Sequence, residues 1–444
     1  MRGVGRDGSL MRLLLGRASM ERRIVVSASL AHGMTHTLEL TFAALLVRVG
    51  FEFGVDVAVL GAVANAGTFT FGAAALPAGW LVDRYGPRAV VVASMWVAAA
   101  FALLVALAPT LLLLAAALTL LGAGIGLYHP AGTSIVASLS HRRGIAFAAH
   151  GVAGNVGVAL APVAAVGIAL LFDWRIAYAA FALGALAVGA LVLRIAPSRE
   201  EARAAATAAA SHASVHAPGA HARTSPPSPR RWLSAALLLI YVGTIAQGFV
   251  YRGSLTFLTL HLKEHLGIGV LGWSAEAVAG AAATLVLLAA VFGQFAGGAL
   301  SDRIPVERAL LPFAALLGPA LVLVGSMSGV ALLLACAAFV AVNFALQPIF
   351  NGLVSDYSPA GSPGRAFGLM FFLTFGVGSF AASFAGLLAA RWGTPAVFFA
   401  LGAISLGMLA AMSVVAAGAE RRRTRAERGA EAEAAHAKEL VVGD

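Results

Sequence analysis

Residues 31–40 read AHGMTHTLEL and place His32, His36 and Glu39 at i, i+4 and i+7, on one face of a helix. They interrupt an otherwise apolar run from Ile24 to Val47. Imidazole takes up and releases protons near physiological pH, and a carboxylate beside it can accept the same proton. The stripe is suited to proton carriage. His32 and His36 also have the helical spacing of metal ligands, but the His-Glu-x-x-His of a zinc protease is missing, and no metal or other cofactor is expected. Farther along, His129, Gln247, Arg252, Asn343 and Gln347 fall inside other apolar runs. Ionisable groups at such depth are costly and seek partners, and Arg252 is the natural counter-ion for Glu39. A static structural ion pair is the alternative reading of these two residues. Lone histidines such as His129 and His150 also serve as hydrogen-bonded packing residues.

A second set lies in GWLVDRYGPR, residues 79–88. Asp83 follows an apolar run, where the C-terminal end of a helix dipole disfavours a carboxylate. It needs a positive partner: Arg84, Arg88 or the N-terminus of another helix. The start of a helix near Gly364–Arg365 is a candidate on the same membrane side. Asp302, followed by Arg303, is expected to face Arg142, Arg143 and Gly144 in the same way.

The elements that carry these residues must be membrane spans. Of 444 residues, 60% are hydrophobic and only 11% charged, against roughly 25% charged in a soluble domain. Lipid must be the solvent for that much apolar surface. A span needs about 20 apolar residues, and twelve stretches qualify: 24–47, 57–81, 89–108, 110–138, 145–171 and 176–195, then 232–260, 275–300, 307–326, 329–354, 366–390 and 395–417. The fold class is an all-α membrane protein of two six-helix bundles, 24–195 and 232–417. An N-terminal tail (1–23), a disordered linker (196–231) rich in Ala, Ser, Pro and His, and a C-terminal tail (418–444) complete the chain. The single cysteine, Cys336, sits in an apolar run and cannot form an intrachain disulfide. No Gly-Lys-Ser/Thr phosphate loop occurs, so ATP is not the energy source within this chain.

With the N-terminus in the cytoplasm, every Lys and Arg except Arg48, Arg175, Arg252, Lys263 and Arg391 lies in or beside a cytoplasmic tail, loop or linker. The positive-inside rule then places both termini inside a cell (inner) membrane. The net charge of +10 is thereby assigned to orientation, and no nucleic acid partner is expected.

The two halves repeat at an offset near 218. FALGA at 181–185 recurs at 399–403, Trp174 matches Trp392, Pro130 matches Pro348, and GWLVDR at 79–84 matches GALSDR at 298–303, shifted by one. Parallel repeats about an axis along the membrane normal are one transporter design. Together with Gly79, Leu81, Asp83, Arg84, Gly86 and Arg88 in the loop after span 2, this pattern resembles the major facilitator superfamily. Pro87 stands where the motif has its first basic residue. Within the superfamily, residues 127–162 resemble the fosmidomycin-resistance-like exporters, which share a His-Pro in span 4 (His129–Pro130), a Gly-Asn-x-Gly in span 5 (Gly154–Gly157) and a span 1 histidine matching His32. The exporters' Gly-x-x-x-Gly-Pro element departs here, with Ala161 in place of its last Gly.

The resemblance implies that spans 1, 4, 7 and 10 line a central cavity and that Asp83 and Asp302, with Arg143, Arg365 and the loop residues, latch the cytoplasmic side. The ionisable residues deep in the spans fall on those four, with His150 near a span 5 entrance as the main outsider and Asn65, Asn155 and Gln294 as neutral exceptions on spans 2, 5 and 8. The expected function is proton-coupled export of a small organic molecule by a monomer, with protons, lipid and a small-molecule substrate as its partners and no enzymatic activity. An importer or facilitator of a small organic anion, with Arg252 as the clamp, and a non-transporting receptor or assembly protein on the same scaffold are the alternatives.

Overall fold

A computed structural model describes residues 7–139, 142–198, 200–201 and 234–442, and every regular element among them is helical. The expected linker lies outside the described residues from 202 onward, as do residues 1–6. In the first half the helices are α1 (Asp7–Phe53), α2 (Val57–Tyr85), α3 (Pro87–Ala106), α4 (Leu111–Gly126), α5 (Tyr128–Ala137), α6 (Arg143–Leu171) and α7 (Trp174–Ile195). In the second they are α8 (Ala235–His265), α9 (Ala275–Leu287), α10 (Ala289–Arg303), α11 (Val306–Ser326), α12 (Gly329–Tyr357), α13 (Pro363–Phe371), α14 (Phe380–Trp392) and α15 (Thr394–Val442). The pairs α4–α5, α9–α10 and α13–α14 are each one interrupted crossing, so the described residues make twelve. Eleven crossings are long and apolar enough on their own. The twelfth, α1, is less apolar because His32, His36 and Glu39 sit in its middle.

Local chemistry explains the boundaries. Side chains of Asp56, Thr110, Ser234 and Ser274 accept the backbone N–H three residues on, at the starts of α2, α4, α8 and α9. Asp173 caps α7 through Arg175 N, and Pro87 opens α3, where its missing N–H costs nothing. Crossing 4 breaks because Pro130 lacks an N–H and its ring crowds the carbonyl four residues back. That residue is Gly126, the last of α4. Crossing 11 holds a π turn at Phe372–Gly376 and a short 3-10 turn at Val377–Ser379; such single π turns cluster at functional sites.

α1 packs on α6 and α7, and α3 on α4 and α7; in the second half α11 packs on α12 and α15, and α8 on α15. Large apolar side chains such as Leu113, Leu183, Leu285 and Leu334 are exposed, as a lipid-facing surface requires. The halves meet along two seams, α2 against α13 and α6 against α10. Both seams end on the face that carries the α2–α3 turn.

Candidate functional site

Asp83, near the end of α2, crosses to the other half. Its Oδ1 accepts from Gly364 N at 2.8 Å, and its Oδ2 from Arg365 N at 3.2 Å and Arg365 Nε at 2.9 Å. Asp302, near the end of α10, crosses the opposite way: Oδ1 accepts from Gly144 N at 2.7 Å and Oδ2 from Ile145 N at 3.0 Å. Each carboxylate thus leaves the unfavourable end of its own helix dipole and caps the favourable end of another. The approach needs glycine on both sides. A Cβ on Gly79 would stand 2.5 Å from Gly364 O, and one on Gly364 would stand 2.5 Å from Gly79 O. Gly298 and Gly144 block each other in the same manner.

The other residues expected on this face take separate partners. Arg143 donates to Asp356 Oδ1 at 2.5 Å and to Ser355 at 3.3 Å, joining α6 to the end of α12. Arg84 turns to Tyr85, with its guanidinium over the Trp80 and Tyr85 rings. Arg88 donates to the Leu193 carbonyl near the end of α7. Gly86 turns the chain between α2 and α3 at φ 90°, and Arg303 is exposed at the end of α10.

Above this face lies a cavity lined from both halves, with His32, His36 and His129 on one side and Gln247, Gln294 and Gln347 on the other. His36 Nδ1 lies 2.6 Å from Glu39 Oε2, and His36 Nε2 lies 3.1 Å from His32 Nε2. His32 Nδ1 is 2.7 Å from the His150 carbonyl, and the two rings stack at 4.1 Å. His150 Nε2 meets the Tyr128 hydroxyl at 2.8 Å, and that hydroxyl donates to the Ala28 carbonyl. Arg252 stands 3.9 Å from Glu39 Oε1, the two groups bridging the halves. Across the cavity Gln247 Nε2 donates to Asn343 Oδ1 at 3.0 Å and to its carbonyl at 3.2 Å. Gln294 Nε2 donates to Gln347 Oε1 at 3.3 Å. His129 packs among Phe71, Phe371 and Phe375, and its Nε2 has no hydrogen-bond partner among the described residues.

The ring nitrogens of His32, His36 and His129 lie within 4.8 Å of one another. Tetrahedral zinc, with bonds of about 2.0–2.1 Å, holds its nitrogens about 3.3 Å apart. His32 and His36 have that spacing, but the group as a whole is too wide to close on an ion as it stands.

The model of the Major Facilitator Superfamily matches residues 26–382 and again 240–443. The chain belongs to this superfamily. Its fold is shared with solved transporters. The proton:xylose symporter XylE superposes with a TM-score of 0.70 at 16% identity, covering 89% of this chain and 96% of that one. The human organic anion transporter MFSD10 gives 0.68 at 20%, covering 88% and 99%. FucP in its outward conformation gives 0.62 at 13%, covering 88% and 98%. No curated protein matches. Membership of the superfamily, with these neighbours, makes the chain a multi-pass membrane transporter and not an enzyme.

Sequence reasoning left three features of the site unseen. Tyr128 ties α5 to α1 through Ala28. Asp356 receives Arg143. Gln294, read only as a neutral exception on its span, faces the cavity. The tyrosine lay beside His129 in the sequence, but nothing there showed which helix its hydroxyl would reach.

Proposed function

We propose that the chain is a secondary active transporter whose two six-helix halves rock about the central cavity, and that proton movement drives export of a small organic molecule. The coupling is supported by a count of hydrogens. The His150 carbonyl can only accept, so its link to His32 Nδ1 needs a hydrogen on that nitrogen. The His32–His36 link needs a second and the His36–Glu39 link a third. Two neutral imidazoles and a carboxylate supply only two. Whichever atom holds it, the chain carries one proton beyond that set, which makes it neutral overall. Losing it opens one of the three links: α1 from α6, His36 from His32, or Glu39 from His36 toward Arg252.

The crossed carboxylates act as the latch, and with both termini cytoplasmic in the inner membrane this conformation is closed to the cytoplasm. The direction follows the resemblance of residues 127–162 to exporters, and the transporter works as a monomer. Import of an organic anion clamped by Arg252 is less favoured, because Glu39 already stands beside that guanidinium.

The test is purified protein in liposomes under an imposed pH gradient, with the solute identified by binding. Uphill movement of that solute should follow the gradient, and His36→Gln should abolish it while sparing exchange down a gradient. Uphill flux indifferent to pH, or intact in His36→Gln, would sink the coupling.

A further inference from the structure

Five residues lining the central cavity carry buried polar atoms with no hydrogen-bond partner among the described residues: His129 Nε2, Thr133 Oγ1, Asn155 Nδ2, Gln247 Oε1 and Gln294 Oε1. They come from α5, α6, α8 and α10, so both halves contribute. Buried polar atoms are rarely left unpaired, because the desolvation cost of each is then unreturned. Five around one space describe a site whose hydrogen bonds a ligand completes.

The kind of ligand follows from the atoms. Gln247 presents a carbonyl oxygen, which needs a donor, and Gln294, paired among the described residues only with the Gln347 amide, presents an amide end that can be oxygen or N–H. The Gln247 orientation is fixed, because its Nε2 is held by the Asn343 backbone carbonyl, which can only accept. Asn155 presents an N–H, which needs an acceptor. Thr133 can do either. A carboxylate only accepts and would face the fixed Gln247 oxygen. An ammonium only donates and would leave Asn155 unmet. A hydroxyl group does both. Among the described residues no Lys, Arg, Asp or Glu lines this cavity, and the one proton-bearing group on its wall, the His32–His36 pair, is already tied to Glu39. One wall is aromatic: the Phe371 and Phe375 rings lie 9° from parallel with centroids 5.8 Å apart. Such a wall suits the carbon face of a saturated ring.

We propose that the substrate is a small uncharged polyhydroxylated ring, of the monosaccharide or cyclitol class, whose hydroxyls complete these five atoms and whose carbon face rests on Phe371 and Phe375. The inference rests on the transporter reading and names the substrate class of the same cavity.

The experiment uses the full-length protein in lipid nanodiscs. Equilibrium binding and melting temperature are measured with pentoses, hexoses and inositol, and with the matched uronic acids and amino sugars. A neutral ring should bind and raise the melting temperature, and its acidic and amino counterparts should bind at least about tenfold more weakly, a difference of about 1.4 kcal/mol. Gln247→Leu and Gln294→Leu should each weaken the neutral ring by about tenfold. Gln294→Glu keeps the size and should move preference toward the amino sugar, which also guards against a merely unfolded Leu variant. The proposal is overturned if no neutral ring binds, if a charged counterpart binds as tightly, or if the Leu variants bind like wild type. Flux of a charged solute without neutral binding would remove this substrate class and leave the transporter. Neutral binding without flux of any solute in liposomes would do the reverse.

Discussion

Asp83→Asn should open the latch face without unfolding the protein. The Asp83 side chain is only 9% exposed and accepts two backbone N–H groups and one guanidinium N–H. A hydrogen bond to a charged group contributes about 1.5–3 kcal/mol. The guanidinium counts for little, because Arg365 is 50% exposed and solvent screens it. Asparagine keeps one oxygen for Gly364 N and turns its NH2 toward Arg365 N, losing that bond. The net loss is about 3 kcal/mol, or roughly a hundredfold in the ratio of latched to unlatched molecules. Because an unlatched Asp83 is solvated and not stranded, the loss falls on the conformational equilibrium and not on folding. Spin labels on the latch-face ends of α2 and α13, read by double electron–electron resonance, should show a longer distance. The melting temperature should hold and transport should fall severely. An unchanged distance distribution, or near wild-type flux in vesicles, would refute the latch.

Glu39→Gln should abolish uphill, pH-driven transport and spare exchange. If Glu39 is instead a static partner of Arg252, stability should fall by roughly 3–5 kcal/mol, and the double change with Arg252→Gln should rescue it; melting temperature and flux on both variants separate the two. Protease should cut residues 196–231 only from the cytoplasmic side, and cleavage in sealed, right-side-out cells would overturn the orientation. At the far end, partial burial pushes the Glu52 carboxyl up, but the Trp174 Nε1–H and the Arg175 guanidinium outweigh it and hold it below the usual carboxylate range. A depressed carboxyl stabilises above its unfolded value and loses that contribution as pH falls through the folded one. Acid should therefore lower the melting temperature of wild type slightly more than that of Glu52→Gln, and equal acid slopes would contradict the pairing.

The latch partners could be read from the sequence because they follow from repeat symmetry and a helix dipole, both visible in one dimension. Asp83 needed a cation or a helix start, and crossing 11 begins on the matching side. Which cation it takes was not legible: neighbouring Arg84 swings to Trp80 and Tyr85, and Arg365, some 280 positions away, takes its place. Periodicity put His32, His36 and Glu39 on one face, but not the hydrogen-bond chain, whose end is a backbone carbonyl in α6. A carbonyl has no residue type to read. Pro130 marks the break in crossing 4, whereas the π turn in crossing 11 has no proline and lies where Gly72 and Gly248 press on Gly376 and Thr374. The unpaired amides are individually unremarkable in sequence, and only their convergence on one space distinguishes them.

The two crossed carboxylates also say something about ancestry. Under the repeat, α2 corresponds to α10 and α13 to α6, so one donor surface and one acceptor surface are each used twice. This is the geometry of an isologous two-fold interface, in which a patch on one copy meets its counterpart on the other. A pair of identical six-helix proteins would need only a single aspartate and a single glycine-bearing helix start to close on itself at two points. Joining such halves into one chain adds no new contact at that face. It lets the two contacts drift apart, as they have here, where one carboxylate has gained an arginine and the other has not.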